Sequence, residues 1–103
     1  MDSQKPYLDP DLTLNSLANL LDIPPHHLSQ IINQFEEQNF NDFVNKYRVD
    51  EFIDRASQVS HLSFLGIALD SGFNSKSTFN TVFKKHKGAT PSQFMKFHLK
   101  KAS

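Results

Sequence analysis

The sequence predicts an all-α fold of six to seven helices, in which two similar helical units are joined by a long linker helix. Three observations predict it. Apolar residues recur at helical rather than strand spacing, helix start and stop residues fall between the apolar runs, and the second half of the chain repeats the first in register. Strict apolar–polar alternation is scarce and paired turn dipeptides are few, so strands are not expected. The 103 residues amount to a single domain with one modest core.

Residues 1–11 read as an N-terminal extension contributing at most a turn, because PYLDPDL is too proline-rich and acidic for a full helix. Leu14, Leu17, Ala18 and Leu21 then follow i, i+3, i+4, i+7 spacing, with Thr13 placed to cap the helix. Pro24 and Pro25 stop that helix and start another, which carries Leu28, Ile31, Ile32 and Phe35. A longer helix over 41–57 places Phe43, Val44, Tyr47, Phe52, Ile53 and Ala56 roughly on one side. Ser63 caps a short helix holding Phe64, Ile67 and Ala68, which Gly72 ends. Ser75 or Asn74 opens the next helix, with Phe79, Val82 and Phe83, and Gly88 stands at its C′ position. Thr90-Pro91-Ser92-Gln93 is a capping box with proline at N1, and it introduces a last helix over 90–100 with Phe94, Phe97 and His98.

The repeat emerges when the chain is laid on itself. At an offset of 50, Leu17-Ala18 matches Ile67-Ala68 and Asp22-Ile23 matches Gly72-Phe73. At an offset of 51, Leu28 matches Phe79, Ile31 matches Val82, Ile32 matches Phe83, Asn39-Phe40 matches Thr90-Pro91, and Phe43 matches Phe94. A small residue (Ala18, Ala68) lets two helices cross closely. Four residues on, the turn needs a permissive φ, which Gly72 supplies freely and Asp22 tolerably. The apolar residue that follows, Ile23 or Phe73, plugs the gap. That spacing is the pattern of a helix-turn-helix, here twice, over 12–37 and 63–88.

Charge points to the partner of such units. Formal net charge is zero, but residues 1–70 hold all eleven acids and net −7, while residues 71–103 hold seven lysines and no acid, net +7. An acid-free basic segment of that length suggests a surface for phosphate rather than an ordinary solvated tail. With Phe79, Val82, Phe83 and His86 facing inward, the outward stripe of the second unit's second helix is Lys76, Ser77, Asn80, Thr81 and Lys84. Asn80 can pair with adenine N6/N7, Thr81 can touch a thymine methyl, and Lys76 can reach guanine or phosphate. Lys84, Lys85 and Lys87 fit phosphate contacts. The equivalent stripe of the first unit is Pro25, His26, Ser29, Gln30 and Asn33, which has groups that read bases but no fixed charge, and Glu36 and Glu37 follow it. The second unit is therefore expected to supply most of the electrostatic affinity.

Other functions find little footing. Zero Cys excludes a disulfide framework and thiolate metal sites, and fits a reducing cytoplasm. No apolar stretch is long enough to span a membrane, and no signal peptide is recognisable. His26 and His27 are adjacent, so they point about 100° apart on a helix, and no carboxylate or Cys three or four residues further on completes a metal site. His61, His86 and His98 are scattered. No catalytic constellation, cofactor site or small-molecule site is expected.

The segment Lys76 to Phe94, KSTFNTVFKKHKGATPSQF, closely resembles the C-terminal pattern of AraC-type regulators, and the resemblance continues upstream through IALDSGF and FVNKYRV to LANLLDIPPHHLSQIINQF. It covers about Leu12 to Phe97. It implies sequence-specific binding of double-stranded DNA across two adjacent major grooves, transcription regulation with activation the expected direction, and contact with RNA polymerase. It also implies a sensor or dimerisation domain N-terminal to this one, absent from this sequence. Carried over residue by residue, the DNA-reading positions fall on His26, Ser29, Gln30 and Asn33 in the first unit. In the second they fall on Lys76, Ser77, Asn80, Thr81 and Lys84, with Lys85 beside them. Arg48 matches a linker-helix arginine held in a buried or half-buried ion pair. Asp22, Glu37 and Phe52 depart from the pattern, which has glycine at the first two and a small residue at the third. The competing reading is a protein-interaction module whose acidic half faces a polymerase subunit or a sensor domain.

Overall fold

The structure, a computed structural model, describes residues 5–35, 39–58 and 63–102, with side chains over the same ranges except at 35 and 97–102. The roles expected of Phe35, Glu36, Glu37, His61, Phe97 and His98 lie outside the described residues. Six α-helices follow a 3-10 turn at Pro6–Leu8: α1 Leu14–Leu21, α2 Pro25–Phe35, α3 Phe40–Gln58, α4 Phe64–Asp70, α5 Lys76–Lys87 and α6 Pro91–Ala102. No strand occurs among the described residues. The all-α architecture expected from the sequence is the one observed, and the 3-10 turn is the seventh helical element.

The starts of the helices are built as their residue types dictate. Thr13 Oγ1 accepts from Ser16 N at 3.1 Å, and Ser63 Oγ accepts from Gly66 N at 3.1 Å, at equivalent positions of the two units. Asn39 Oδ1 accepts from Asp42 N at 2.8 Å, and Thr90 Oγ1 accepts from Gln93 N at 3.2 Å while Thr90 N donates to Gln93 Oε1. Each cap satisfies an amide that the first helical turn leaves without an internal acceptor.

The turns inside the two units also correspond bond for bond. Ile23 N donates to Ala18 O at 3.0 Å, and Phe73 N donates to Ala68 O at 3.1 Å. The intervening residue has positive φ in both, 57° at Asp22 and 106° at Gly72. Ala18 and Ala68 are fully buried, as close helix crossing demands. The repeat is therefore structural as well as textual.

The two cores differ in size. Leu17, Ala18, Leu28 and Ile32 form the buried cluster of the first unit, with Leu12, Leu14, Ile23, Phe40 and Phe43 packed at its edge. The second cluster gathers Val49, Phe52, Ala56, Ile67, Ala68, Phe73, Phe79, Phe83 and Met95. Its centre is Phe52, whose ring centroid lies 4.6 Å from Phe79, 5.6 Å from Phe64 and 5.6 Å from Phe83. These rings meet Phe52 tilted or edge-on, at interplanar angles of 49°, 82° and 81° respectively. Met95, fully buried from α6, completes the cluster.

The structure departs from three expectations. The linker helix α3 does not bury one side: Phe43 packs on the first core and Phe52 in the second, and nine residues at about 100° each put them on opposite faces. A helix shared by two cores must be apolar on more than one side. Leu21 and Ile31, expected in the first core by periodicity, are exposed, at 50% and 39%. The first unit buries a narrower stripe than its apolar residues would allow.

The N-terminal extension is not a loose appendage. Tyr7 is buried against Tyr47 of α3 with ring centroids 5.6 Å apart, and its hydroxyl donates to Glu51 Oε1 at 3.0 Å. Glu51, itself buried, also accepts from Arg55 Nε at 2.7 Å and pairs with Lys5 Nζ at 3.1 Å. Burial alone would raise the Glu51 carboxyl, but hydrogen bonds from Arg55, Lys5 and Tyr7 outweigh it and hold the group below its ordinary range. Burial and the facing Glu51 push the Tyr7 hydroxyl up to about 12.

Arg48 is also corrected. Among the described residues it bonds backbone acceptors in place of the expected ion pair: Nε donates to Tyr7 O at 2.8 Å and Nη2 to Asp9 O at 2.9 Å, with Nη1 reaching Asn45 Oδ1 at 3.3 Å. Tyr7 in the Pro6–Leu8 turn and Asp9 just after it present those carbonyls to α3, so the guanidinium satisfies main-chain groups. Burial lowers its pKa, which Asp9 partly offsets.

Candidate nucleic-acid interface

In each unit the second helix, α2 or α5, has one face in the core and the other in solvent. On α5, Phe79 and Phe83 are buried and anchor the helix. Lys76, Ser77, Asn80, Thr81 and Lys84 are all exposed on the opposite side. At about 100° per residue they span one continuous stripe. Ser75 caps the helix, its Oγ accepting from Thr78 N at 3.1 Å, and Gly88 ends it at φ 74°. Lys84, Lys85, His86 and Lys87 occupy the last turn, where the helix dipole favours positive charge. Among the described residues, neither Lys76 nor Lys84 has a carboxylate partner.

The stripe borders an open groove of about 710 Å³ between α5 and the starts of α4 and α6. Lys76, Asn80, Thr81 and Lys84 form one wall, and Leu65, Thr90, Pro91 and Ser92 are among the residues that face them. The groove residues outside α5 were not among those expected at the site. Only tertiary packing brings Leu65 and Thr90 beside Asn80.

On α2 the corresponding residues are also at the surface: His26, Gln30 and Asn33 are exposed and Ser29 is half-buried, while Leu28 and Ile32 hold the helix to its core. The polar residues expected to read bases therefore lie together on each second helix. Lys85 stands apart from the rest. Its Nζ lies 2.8 Å from Asp42 Oδ1 on α3, round the helix from the stripe.

Between these lysines lies His86, partly buried, whose Nε2 is buried with no hydrogen-bond partner among the described residues. Burial lowers its pKa, Asp42 and Asp50 oppose that, and Lys85 and Lys87 add to it. Burial of this nitrogen therefore disfavours the charged imidazolium. No group of three or more His, Asp or Glu able to hold a metal occurs among the described residues. No helix there is long and apolar enough to cross a membrane.

Comparison with known proteins agrees with this geometry. A family model described as a helix-turn-helix domain matches residues 17–96. The probable transcription factor PqrA of Proteus vulgaris is 34% identical over 83 residues, covering 81% of this chain and 67% of that protein. The HTH-type transcriptional regulator YpdC of Escherichia coli K12 is 32% identical over 91 residues, covering 88% of this chain but 31% of that protein. The chain thus spans about a third of the length of YpdC. Among solved structures, the C-terminal domain of AraT, a response regulator from Geobacillus stearothermophilus, superposes with a TM-score of 0.77 at 31% identity, covering 91% of this chain and 77% of that one. With doubled turns, caps and stripes and this breadth of match, the chain belongs to the helix-turn-helix domain family, as a domain of the bacterial transcriptional-regulator kind.

Proposed function

We propose that this domain binds double-stranded DNA sequence-specifically, as the DNA-binding part of an AraC-type regulator that activates transcription. The observation that carries the reading is the α5 stripe. A solvent-facing surface of Lys76, Ser77, Asn80, Thr81 and Lys84, without one acid, sits on the second helix of a helix-turn-helix. The repeated geometry of α2 supports a second reading head, and the 44 Å length of the molecule suits two heads spaced by one DNA turn, about 34 Å. The units over 12–37 and 63–88 then enter adjacent major grooves of a non-palindromic site.

Roles follow from chemistry. Asn80 reads adenine, Thr81 meets a thymine methyl, and Lys76 and Lys84 hold guanine or phosphate. His26, Ser29, Gln30 and Asn33 read the neighbouring groove on weaker electrostatic terms, since they bring no fixed charge. The AraC-type assignment rests on the KSTFNTVFKKHKGATPSQF pattern. Activation requires a polymerase contact as well, and the exposed Leu20 and Leu21 of α1 offer an apolar surface for one. That surface also favours the second reading, a protein-interaction module with weak DNA binding.

Selection of bound duplexes from a random pool, followed by a salt series on the winner, tests the proposal. Affinity is expected to fall steeply with salt, and Asn80→Ala to relax one base position at a cost of roughly 1–3 kcal/mol. If no duplex is retained, or if replacing Lys76 and Lys84 leaves DNA binding intact while disrupting a protein complex, the interaction-module reading replaces it.

A further inference from the structure

The last turn of α5 carries two lysines that the groove-facing stripe does not use. Lys85 Nζ is 2.8 Å from Asp42 Oδ1, and Lys87 Nζ is 3.6 Å from Asp50 Oδ1 while lying 5.8 Å above the ring of Phe94. Both acids belong to α3, eight residues apart, so the linker helix places one carboxylate against each lysine. Asp42 is fixed in turn, because its backbone N–H is held by Asn39 Oδ1 at 2.8 Å in the cap of α3.

A helix about 10–12 Å across fills a major groove about 12 Å wide. The two phosphate backbones then run along its flanks. Lys85 stands about 100° round from Lys84, on such a flank, and its side chain is 63% exposed. Without Asp42 it is free to swing toward phosphate. Water screens an exposed ion pair of this kind, so the restraint on Lys85 is a modest one.

We infer that Asp42 and Asp50 serve as internal phosphate substitutes. They hold Lys85 and Lys87 out of the DNA contact and so set the affinity and salt dependence of the recognition helix. This rests on the DNA-binding reading above. It gives a purpose to acids beside the basic segment: the strength of the second unit is restrained from the linker helix, leaving base contacts a larger share of the discrimination. Asp42 and Asp50 are positioning residues, since they act through the lysines.

The test compares the unaltered domain with Asp42→Asn, Lys85→Gln and the pair combined, on the duplex selected by the unaltered domain, across a salt series. A parallel arm uses Asp50→Asn and Lys87→Gln, and thermal unfolding verifies that each variant folds. Asp42→Asn is expected to bind a few-fold tighter at low salt, with the slope of log affinity against log salt steeper by about 0.9, one phosphate's worth. Lys85→Gln alone should leave the slope unchanged, and in the Asp42→Asn background it should restore the original slope. A structural role for Asp42 would weaken binding without touching the slope. An unchanged slope in both Asp→Asn variants overturns the inference, as does a loss of about 0.9 in slope from Lys85→Gln alone. Failure of the unaltered domain to retain any duplex overturns the DNA-binding reading instead, which is a different outcome.

Discussion

The carbonyl oxygen of Tyr7 occupies the space that a β-carbon on Gly72 would need. Arg48 Nε, which donates to that same carbonyl, would stand 2.9 Å from the β-carbon. Gly72 lies in the turn of the second unit and Tyr7 in the N-terminal turn, so one glycine allows three parts of the molecule to meet at a point.

Gly72→Ala is accordingly expected to destabilise the domain by about 2 kcal/mol or more, from the φ of 106° and the collision with backbone. Asp22→Gly at the equivalent turn should change stability by less than about 1 kcal/mol, since relief at φ 57° is offset by a freer unfolded chain. Denaturant unfolding of both variants checks the contrast. Equal effects would show that the N-terminal turn does not press on Gly72.

Phe52→Ala should be among the costliest single changes, at about 3–5 kcal/mol, because the residue is fully buried at the centre of an aromatic stack. Phe52→Leu should cost less, since it keeps most of the volume. Urea midpoints at constant m-value measure both.

Glu51 holds the N-terminal turn to the linker helix. Tyr7→Phe removes one hydrogen bond to a carboxylate that keeps Arg55 and Lys5, and is expected to cost about 1–2 kcal/mol. Glu51→Ala leaves the Tyr7 hydroxyl buried without its acceptor and should cost more, about 2–3 kcal/mol. Limited proteolysis near residue 5 should speed up in both variants before the rest of the domain is cut.

Acid should lower the stability of the domain over two separate pH ranges. His86 is held below its ordinary 6.5 by burial, so the unfolded chain takes up a proton first as pH falls below 6.5, and stability declines from there to the depressed folded value. Glu51 is held below 4.5, so its contribution is intact above 4.5 and disappears as pH falls through its folded value. Melting temperature against pH should therefore lose its upper slope in His86→Leu and its lower slope in Glu51→Gln.

What was legible in the sequence is what local chemistry dictates. Thr13, Ser63, Ser75 and Thr90 cap helices because their own neighbours three residues on supply the amides. The positive φ at Asp22 and Gly72 follows from the spacing of the turn. The α5 stripe was readable because its buried side is a clean aromatic pattern.

What escaped was long-range. Tyr7 and Glu51 are 44 residues apart, and nothing beside Tyr7 announces a partner. The one clue was Glu51 itself, a carboxylate set between the core residues Val49 and Phe52. Lys85 looked like its neighbour Lys84, and only the approach of Asp42 from another helix separates them. Leu21 and Ile31 fit the apolar period but find no core left to enter.

The helix α3 acts as a gauge as well as a wall. Because Phe43 is spent on one core and Phe52 on the other, the register between them fixes how one unit is turned against its twin. One residue inserted between them would rotate one unit by about 100° and advance it by about 1.5 Å, whereas seven would leave it within about 20° of its phase, some 10 Å further off. If the two units bind DNA as proposed, the separation of their half-sites is written as a residue count, and changing the count in whole heptads is the way to change the spacing while keeping both units facing the same side.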